Sequence, residues 1–174
     1  LKWKGINCCL SDIKRTIEYQ DLDHAKEHIA QIGNKLKKEG LPNSISPIIV
    51  GYAGYGNVSI GAQEILDHSP LKEITPDKLD TISSNYSKNF IYKVIFREEH
   101  MVEPKTSEKE FNLQEYYESP QLYKPIFQNH IPYLTILMNC IFWNENYPRL
   151  VTKDYLKNNY TEKMKLQVIG DISV

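Results

Sequence analysis

A chain of 174 residues with 41% apolar and 25% charged side chains has the makeup of one folded domain with a real core, which excludes a disordered polypeptide and leaves no room for two full domains. Its 21 basic and 22 acidic residues nearly cancel, so a net charge of −1 provides no field to draw nucleic acid or an anionic membrane. The longest apolar run, Leu134 to Trp143, is interrupted by Thr135 and Asn139 and falls short of the roughly 18 residues of a membrane-spanning helix.

From Leu22 to Glu39 the apolar positions Leu22, Ala25, Ile29, Ile32 and Leu36 recur at helical spacing, with Asp21 as cap and Gly40 and Pro42 as stops. Pro47 to Tyr52 is short, apolar and rich in β-branched residues, the pattern of a strand covered on both faces. Val58 to Asp67 returns to helical spacing and ends at His68-Ser69-Pro70. Leu71 to Thr75 alternates as a strand, and Pro76 with Asp77 opens a small helix through about Ser83. Phe90 to Phe96 is the clearest strand.

Arg97 to Ser119 is polar and broken by Pro104, which predicts an exposed loop with at most a short helix from Leu113 and no contribution to the core. Leu134 to Ile141 fits helix or strand by periodicity, and its length and Pro132 favour a strand. Thr152 to Asn159 reads as a short helix and Leu166 to Ile169 as the last strand. Strands alternating with helices predict an α/β fold, a Rossmann-like doubly wound parallel sheet with helices on both faces.

Between the first strand and the next helix lies Gly54-Tyr55-Gly56-Asn57-Val58-Ser59-Ile60-Gly61-Ala62. In a dinucleotide-binding turn the first glycine allows the sharp bend, and the second removes a side chain where the backbone meets the diphosphate. Gly54 and Gly56 fit those positions, and the amides of Asn57, Val58 and Ser59 would face the phosphates at the helix start. The third glycine of the usual pattern falls on Ser59, leaving Gly61 and Ala62 as the small residues for helix–sheet contact. The ring of Tyr55, inside the turn, is placed to lie over a nucleotide. A structural turn rich in glycines is the competing reading, weakened by the strand and helix on either side.

At the ribose position, about twenty residues past the first glycine, stand Glu73-Ile74-Thr75. With Thr75 there, no carboxylate repels a 2'-phosphate and Lys72 or Lys78 attracts it, which favours NADP; a small register shift would substitute Glu73 and favour NAD. The histidines lack companions at telling spacing. His24 and His28 share a helix face, His68 suits a helix end, and His100 and His130 flank the polar segment, where packing is the simpler role. Cys140 lacks an evident base and reads as a buried thiol, while Asn139 and Asp171 end strands, where ligands bind in such sheets or where the residues simply cap. Cys8, Cys9 and Cys140 make no paired framework, which fits a reducing compartment and predicts no metal site.

The run Leu41-Pro42, Pro47, Gly54-x-Gly56-Asn57-Val58-Ser59-x-Gly61-Ala62-Gln63-Glu64-Ile65 resembles the lysine-ketoglutarate reductase domain of bifunctional aminoadipic semialdehyde synthases. Arg97 with His100, Asn139-Cys140-Ile141-Phe142-Trp143, Pro148-Arg149-Leu150-Val151-Thr152 and Asp171-Ile172-Ser173 are similar to that family's later motifs, and the element order resembles alanine dehydrogenase more distantly. The likeness runs from about Tyr19 to the end. It implies a Rossmann domain that binds NADPH and serves a reductase condensing lysine with 2-oxoglutarate and reducing the imine to saccharopine. It also implies that the acid and base residues belong to an N-terminal lobe outside this chain, so none of the residues here is catalytic, and that a saccharopine dehydrogenase is fused beyond it.

By the same resemblance, Gly54, Gly56, Asn57 and Val58 hold the diphosphate, Asn139 and Cys140 lie beside the nicotinamide ribose, and Asp171 faces the interdomain cleft. Gly51 and Tyr52 depart from the family's larger apolar residues, and Glu98 and Glu99 from its basic or imidazole ones. Residues 1–20 read as part of an interdomain connection and 21–174 as the NAD(P)-binding domain of a longer enzyme, located within the cell in the mitochondrial matrix or the cytoplasm. The alternative from a different class is a nucleotide-sensing module without turnover.

Overall fold

A computed structural model describes residues 5–161 and 164–172. The first helix, α1, spans Leu22–Glu39: the Asp21 carboxylate accepts from the His24 amide at its start, and Gly40, with φ of 73°, returns its N–H to the Leu36 carbonyl at its end. Then follow β1 (Ile49–Ala53), α2 (Asn57–Glu64), β2 (Leu71–Ile74), α3 (Leu79–Ser84) and β3 (Ile91–Phe96). After β3 come α4 (Glu98–Met101), β4 (Val102–Pro104), α5 (Leu113–Glu118) and β5 (Tyr123–Pro125). The chain continues through β6 (Ile136–Asn139), α6 (Lys153–Asn159) and β7 (Val168–Asp171).

Five strands form one parallel sheet in the order β2-β3-β1-β6-β7, and β4 pairs with β5 in a small antiparallel ribbon. The α/β, Rossmann-like expectation therefore holds. β1 is buried at all five positions, as a central parallel strand must be. Period-two alternation sends its residues to two cores. Ile49 and Ala53 join Tyr92, Val94, Phe96 and Leu137 on one face, beneath Leu79 of α3 and Tyr116 of α5. Val50 and Tyr52 join Ile91 on the other, against Ile32 and Leu36 of α1 and Cys9 of the N-terminal segment. Each large apolar side chain fully removed from water contributes about 1.5–3 kcal/mol.

One expectation is corrected. The segment after Arg97 is not a coreless loop: Met101, Val102 and Tyr116 are buried there, because α4, the ribbon and α5 fold over Phe96 and Phe127. Gly51 is explained by the same face. A β-carbon there would stand 2.9 Å from Phe96 Cε2 and 3.0 Å from Leu134 Cδ1, so neighbouring side chains already fill the volume that a larger residue would occupy.

Candidate functional site: a glycine turn at the carboxyl edge of the sheet

The chain leaves β1 at Gly54, whose φ of 99° is left-handed. Its N–H donates to the Phe96 carbonyl at 2.9 Å, and an added β-carbon would lie 3.0 Å from Ile141 Cγ2 and 3.2 Å from the Cys140 carbonyl oxygen. Gly56 is the N-cap of α2, and a β-carbon on it would meet nothing within 4 Å. No side chain caps this helix, and the Ile60 N–H is the one that returns to the Gly56 carbonyl, at 3.0 Å. The amides of Asn57, Val58 and Ser59 therefore lack partners within the helix, at its positive end. Asn57 and Val58 are exposed.

Ser59 is wholly buried, and its hydroxyl accepts from Gln63 Nε2 at 3.0 Å. At the position of the third glycine stands a fully buried Ser59; of the two small residues expected at the helix–sheet contact, Ala62 packs against the core, while Gly61 is exposed with open space where a β-carbon would go. Burial pushes the Cys140 thiol pKa up, with the Ser59 hydroxyl opposing the shift. Cys140 is thus a protonated packing group rather than a nucleophile.

From β1 the chain runs to β2 and β3 on one side, then crosses to β6 on the other, so the gap between β1 and β6 is the topological switch point where ligands bind in open α/β sheets. A cleft of about 320 Å³ opens there, lined by Gly54, Tyr55 and Gly56, by Glu98, Met101 and Val102, by Cys140 to Phe142, and by Tyr147 to Leu150. Tyr116 and Tyr117 of α5 complete it with Pro125 and Phe127. The Tyr117 hydroxyl donates to Glu98 Oε1 at 2.7 Å; burial first, then that carboxylate, holds its pKa well above the phenol range. Burial likewise pushes Tyr116 up to about 12, so neither tyrosine serves as a base at neutral pH. Arg149 Cζ lies 4.2 Å from the Trp143 ring centre, and Trp143 Nε1 donates to the Tyr147 carbonyl at 3.0 Å, which holds this cation at the cleft.

Of the residues nominated from sequence, Gly54, Tyr55, Gly56 and Cys140 line one cleft, and Asn57 and Val58 begin the helix beside it. Asn139 and Asp171 end the adjacent strands β6 and β7 in register, and Asn139 Nδ2 donates to Asp171 Oδ1 at 2.9 Å. Neither lines the cleft. Asn139 Oδ1 is buried without a hydrogen-bond partner among the described residues.

Thr75 sits elsewhere: it follows the edge strand β2, with β3 between it and β1. Lys72 lies over the Phe90 ring at 4.3 Å, and Lys78 pairs with Asp77 at 3.6 Å. The residues standing beside the turn are Arg97, Glu98, Tyr117 and Arg149, none of which a local sequence motif marks as nucleotide-binding.

The histidines take packing and capping roles. His100 Nδ1 accepts from the Arg97 amide at 2.9 Å, and His130 Nε2 bonds the His100 carbonyl at 3.0 Å while its ring packs on Phe96. Burial lowers the pKa of both. His28 Nδ1 bonds the Tyr19 hydroxyl at 2.9 Å. Among the described residues no group of three His, Cys, Asp or Glu side chains gathers to hold a metal, and no helix is long and apolar enough to cross a membrane.

A five-stranded parallel sheet flanked by helices, with a glycine turn at its switch point, defines a Rossmann-like α/β domain. No family model matches the chain. It is 34% identical over 167 residues to alpha-aminoadipic semialdehyde synthase of Arabidopsis thaliana, a match covering 89% of this chain and 16% of that protein. It is 32% identical over 136 residues to the mitochondrial alpha-aminoadipic semialdehyde synthase of Bos taurus and 31% to that of Mus musculus, in each case over 78% of this chain and 15% of the relative. The chain is homologous to one segment of alpha-aminoadipic semialdehyde synthase, and it spans about a sixth of the length of the curated relatives it matches.

Proposed function

We propose that this chain is the NADPH-binding domain of a lysine-ketoglutarate reductase within a longer lysine-degrading enzyme. The observation that carries the reading is the turn at Gly54–Gly56, where a left-handed glycine, an unhindered N-cap and an uncapped helix start face the carboxyl edge of the sheet beside the cleft. Those amides and the open side of Gly56 fit a diphosphate. The bound cofactor supplies hydride to the imine formed from lysine and 2-oxoglutarate. This chain's part is to hold and orient the cofactor, with Tyr55 and the Cys140–Phe142 segment as walls. The acid and base belong, in this reading, to another lobe. The compartment follows the mitochondrial relatives.

Titration of the purified chain with NADPH, followed by nicotinamide fluorescence, tests the proposal. Saturable binding that Gly54→Ala abolishes is expected; absence of saturable binding to the wild-type chain at millimolar NADPH overturns it. In the full-length protein, NADPH oxidation is expected to require both lysine and 2-oxoglutarate.

A further inference from the structure

The strand order carries a consequence for cofactor choice. In the usual Rossmann order the strand after the glycine-turn helix lies next to the first strand, and the residue at its end meets the adenosine ribose. Here the next strand in the chain, β2, is displaced to the edge, and β3 takes the place beside β1. Ala53 is in register with Phe96, so Arg97 stands abreast of Gly54, and the Gly54 N–H bond to the Phe96 carbonyl ties the two together.

We infer that Arg97, resting on Tyr55 at the end of β3, is the seat of the phosphate monoester that distinguishes a 2'-phosphorylated dinucleotide from its unphosphorylated counterpart. The inference rests on the reading of the glycine turn as a dinucleotide seat. An arginine at the ribose end accommodates a 2'-phosphate, where an acidic residue would hold the free hydroxyls.

Arg97 is exposed, and its Cζ lies 4.4 Å from the centre of the Tyr55 ring. The stack restrains the side chain, so less rotamer freedom is lost when its planar fork meets a phosphate. The ion pairs among the described residues do not include Arg97. Its backbone N–H is fixed by His100 Nδ1, which sets the residue at the head of α4. The neighbouring Glu98 carboxylate is held inside the cleft by the Tyr117 hydroxyl. Lys72 and Lys78 are both on the far side of β3 from β1, on or just after the edge strand.

The test is a pair of titrations, NADPH and NADH, on the wild-type chain and on Arg97→Gln and Arg97→Lys, with 2',5'-ADP against 5'-AMP as probes without the nicotinamide half. Circular dichroism checks that each variant is folded. Wild-type chain is expected to bind NADPH at least about tenfold tighter than NADH at low salt, the scale of one charge-assisted contact. Arg97→Gln is expected to erase that ratio while leaving NADH within about twofold, and Arg97→Lys to keep part of it, as a point charge without the fork does. The 2',5'-ADP preference should fall in parallel. Equal affinity of the wild-type chain for the two dinucleotides overturns the assignment, and so does an Arg97→Gln loss shared equally by both; in either case the glycine turn survives as a dinucleotide seat. Failure of both dinucleotides to bind wild-type chain overturns the underlying reading as well.

Discussion

Gly54 satisfies two constraints at once, a left-handed backbone and a close approach of Ile141 and the Cys140 carbonyl. An alanine there must both adopt φ of 99° and displace those neighbours. Gly54→Ala is therefore expected to cost about 1–3 kcal/mol in denaturant unfolding, beyond any effect on nucleotide binding. Gly56 is the contrast: its added β-carbon meets no protein atom, so Gly56→Ala should leave stability within about 1 kcal/mol while weakening NADPH, a split that equilibrium unfolding and titration read separately.

His130 gives a pH prediction. Burial lowers its pKa below 6.5, the bond to the His100 carbonyl opposes that, and the nearby His100 ring, itself lowered by burial, adds to it. Below about pH 6.5 the unfolded chain binds protons that the folded chain refuses, so stability is complete above that value and is lost as pH falls through the lowered folded values. Urea midpoints between about pH 5 and about pH 7.5 should decline toward acid, and His130→Gln should flatten part of that decline. A midpoint that is flat or rises toward acid would refute the assignment.

Among the elements, α1 was legible to its ends because Asp21 and Gly40 act through local geometry that sequence spells out. The glycine turn was legible for the same reason. The segment after Arg97 was not: Met101, Val102 and Tyr116 are scattered among polar residues, and they are buried only because the β4–β5 ribbon brings them over Phe96. Periodicity cannot register a core assembled from single residues of separate short elements. Nor can it say which strand neighbours β1: counting from the first glycine leads to Thr75 after the edge strand, while the strand beside β1 is β3.

The sheet also contains a charge no pattern predicted. Lys93, 9% exposed, points from β3 to Asp67 at 3.0 Å and Glu73 at 3.4 Å. Replacing it by an apolar residue of similar length, Lys93→Met, is expected to leave stability unchanged within about 1 kcal/mol or to raise it. Removing both carboxylates, Asp67→Ala with Glu73→Ala, strands the ammonium and should cost about 1–2 kcal/mol, a discounted figure because both carboxylates are half-exposed. Thermal unfolding of the two variants decides the sign.

For the whole molecule, a ligand held by the native state alone raises its stability by mass action, so NADPH at about a hundred times its Kd should add about 2.7 kcal/mol and shift the melting midpoint upward with concentration. A midpoint indifferent to NADPH would contradict the proposed cofactor. The homologous relatives extend far beyond this segment. In the function proposed above, the cleft at the β1–β6 gap is the face to which another lobe brings the acid and base.

The central position of β1 also governs how the molecule is made. Its backbone is fixed on one side by Thr135, 86 residues further along, so the central strand cannot acquire its full set of partners until β6 has been made. Pairings this distant are slow to close, and parallel sheets are slower than local hairpins. The wall that Cys140 and Ile141 give the glycine turn arrives with the same late strand, so a nascent chain halted before Asn139 would carry the whole glycine motif yet have no finished pocket around it.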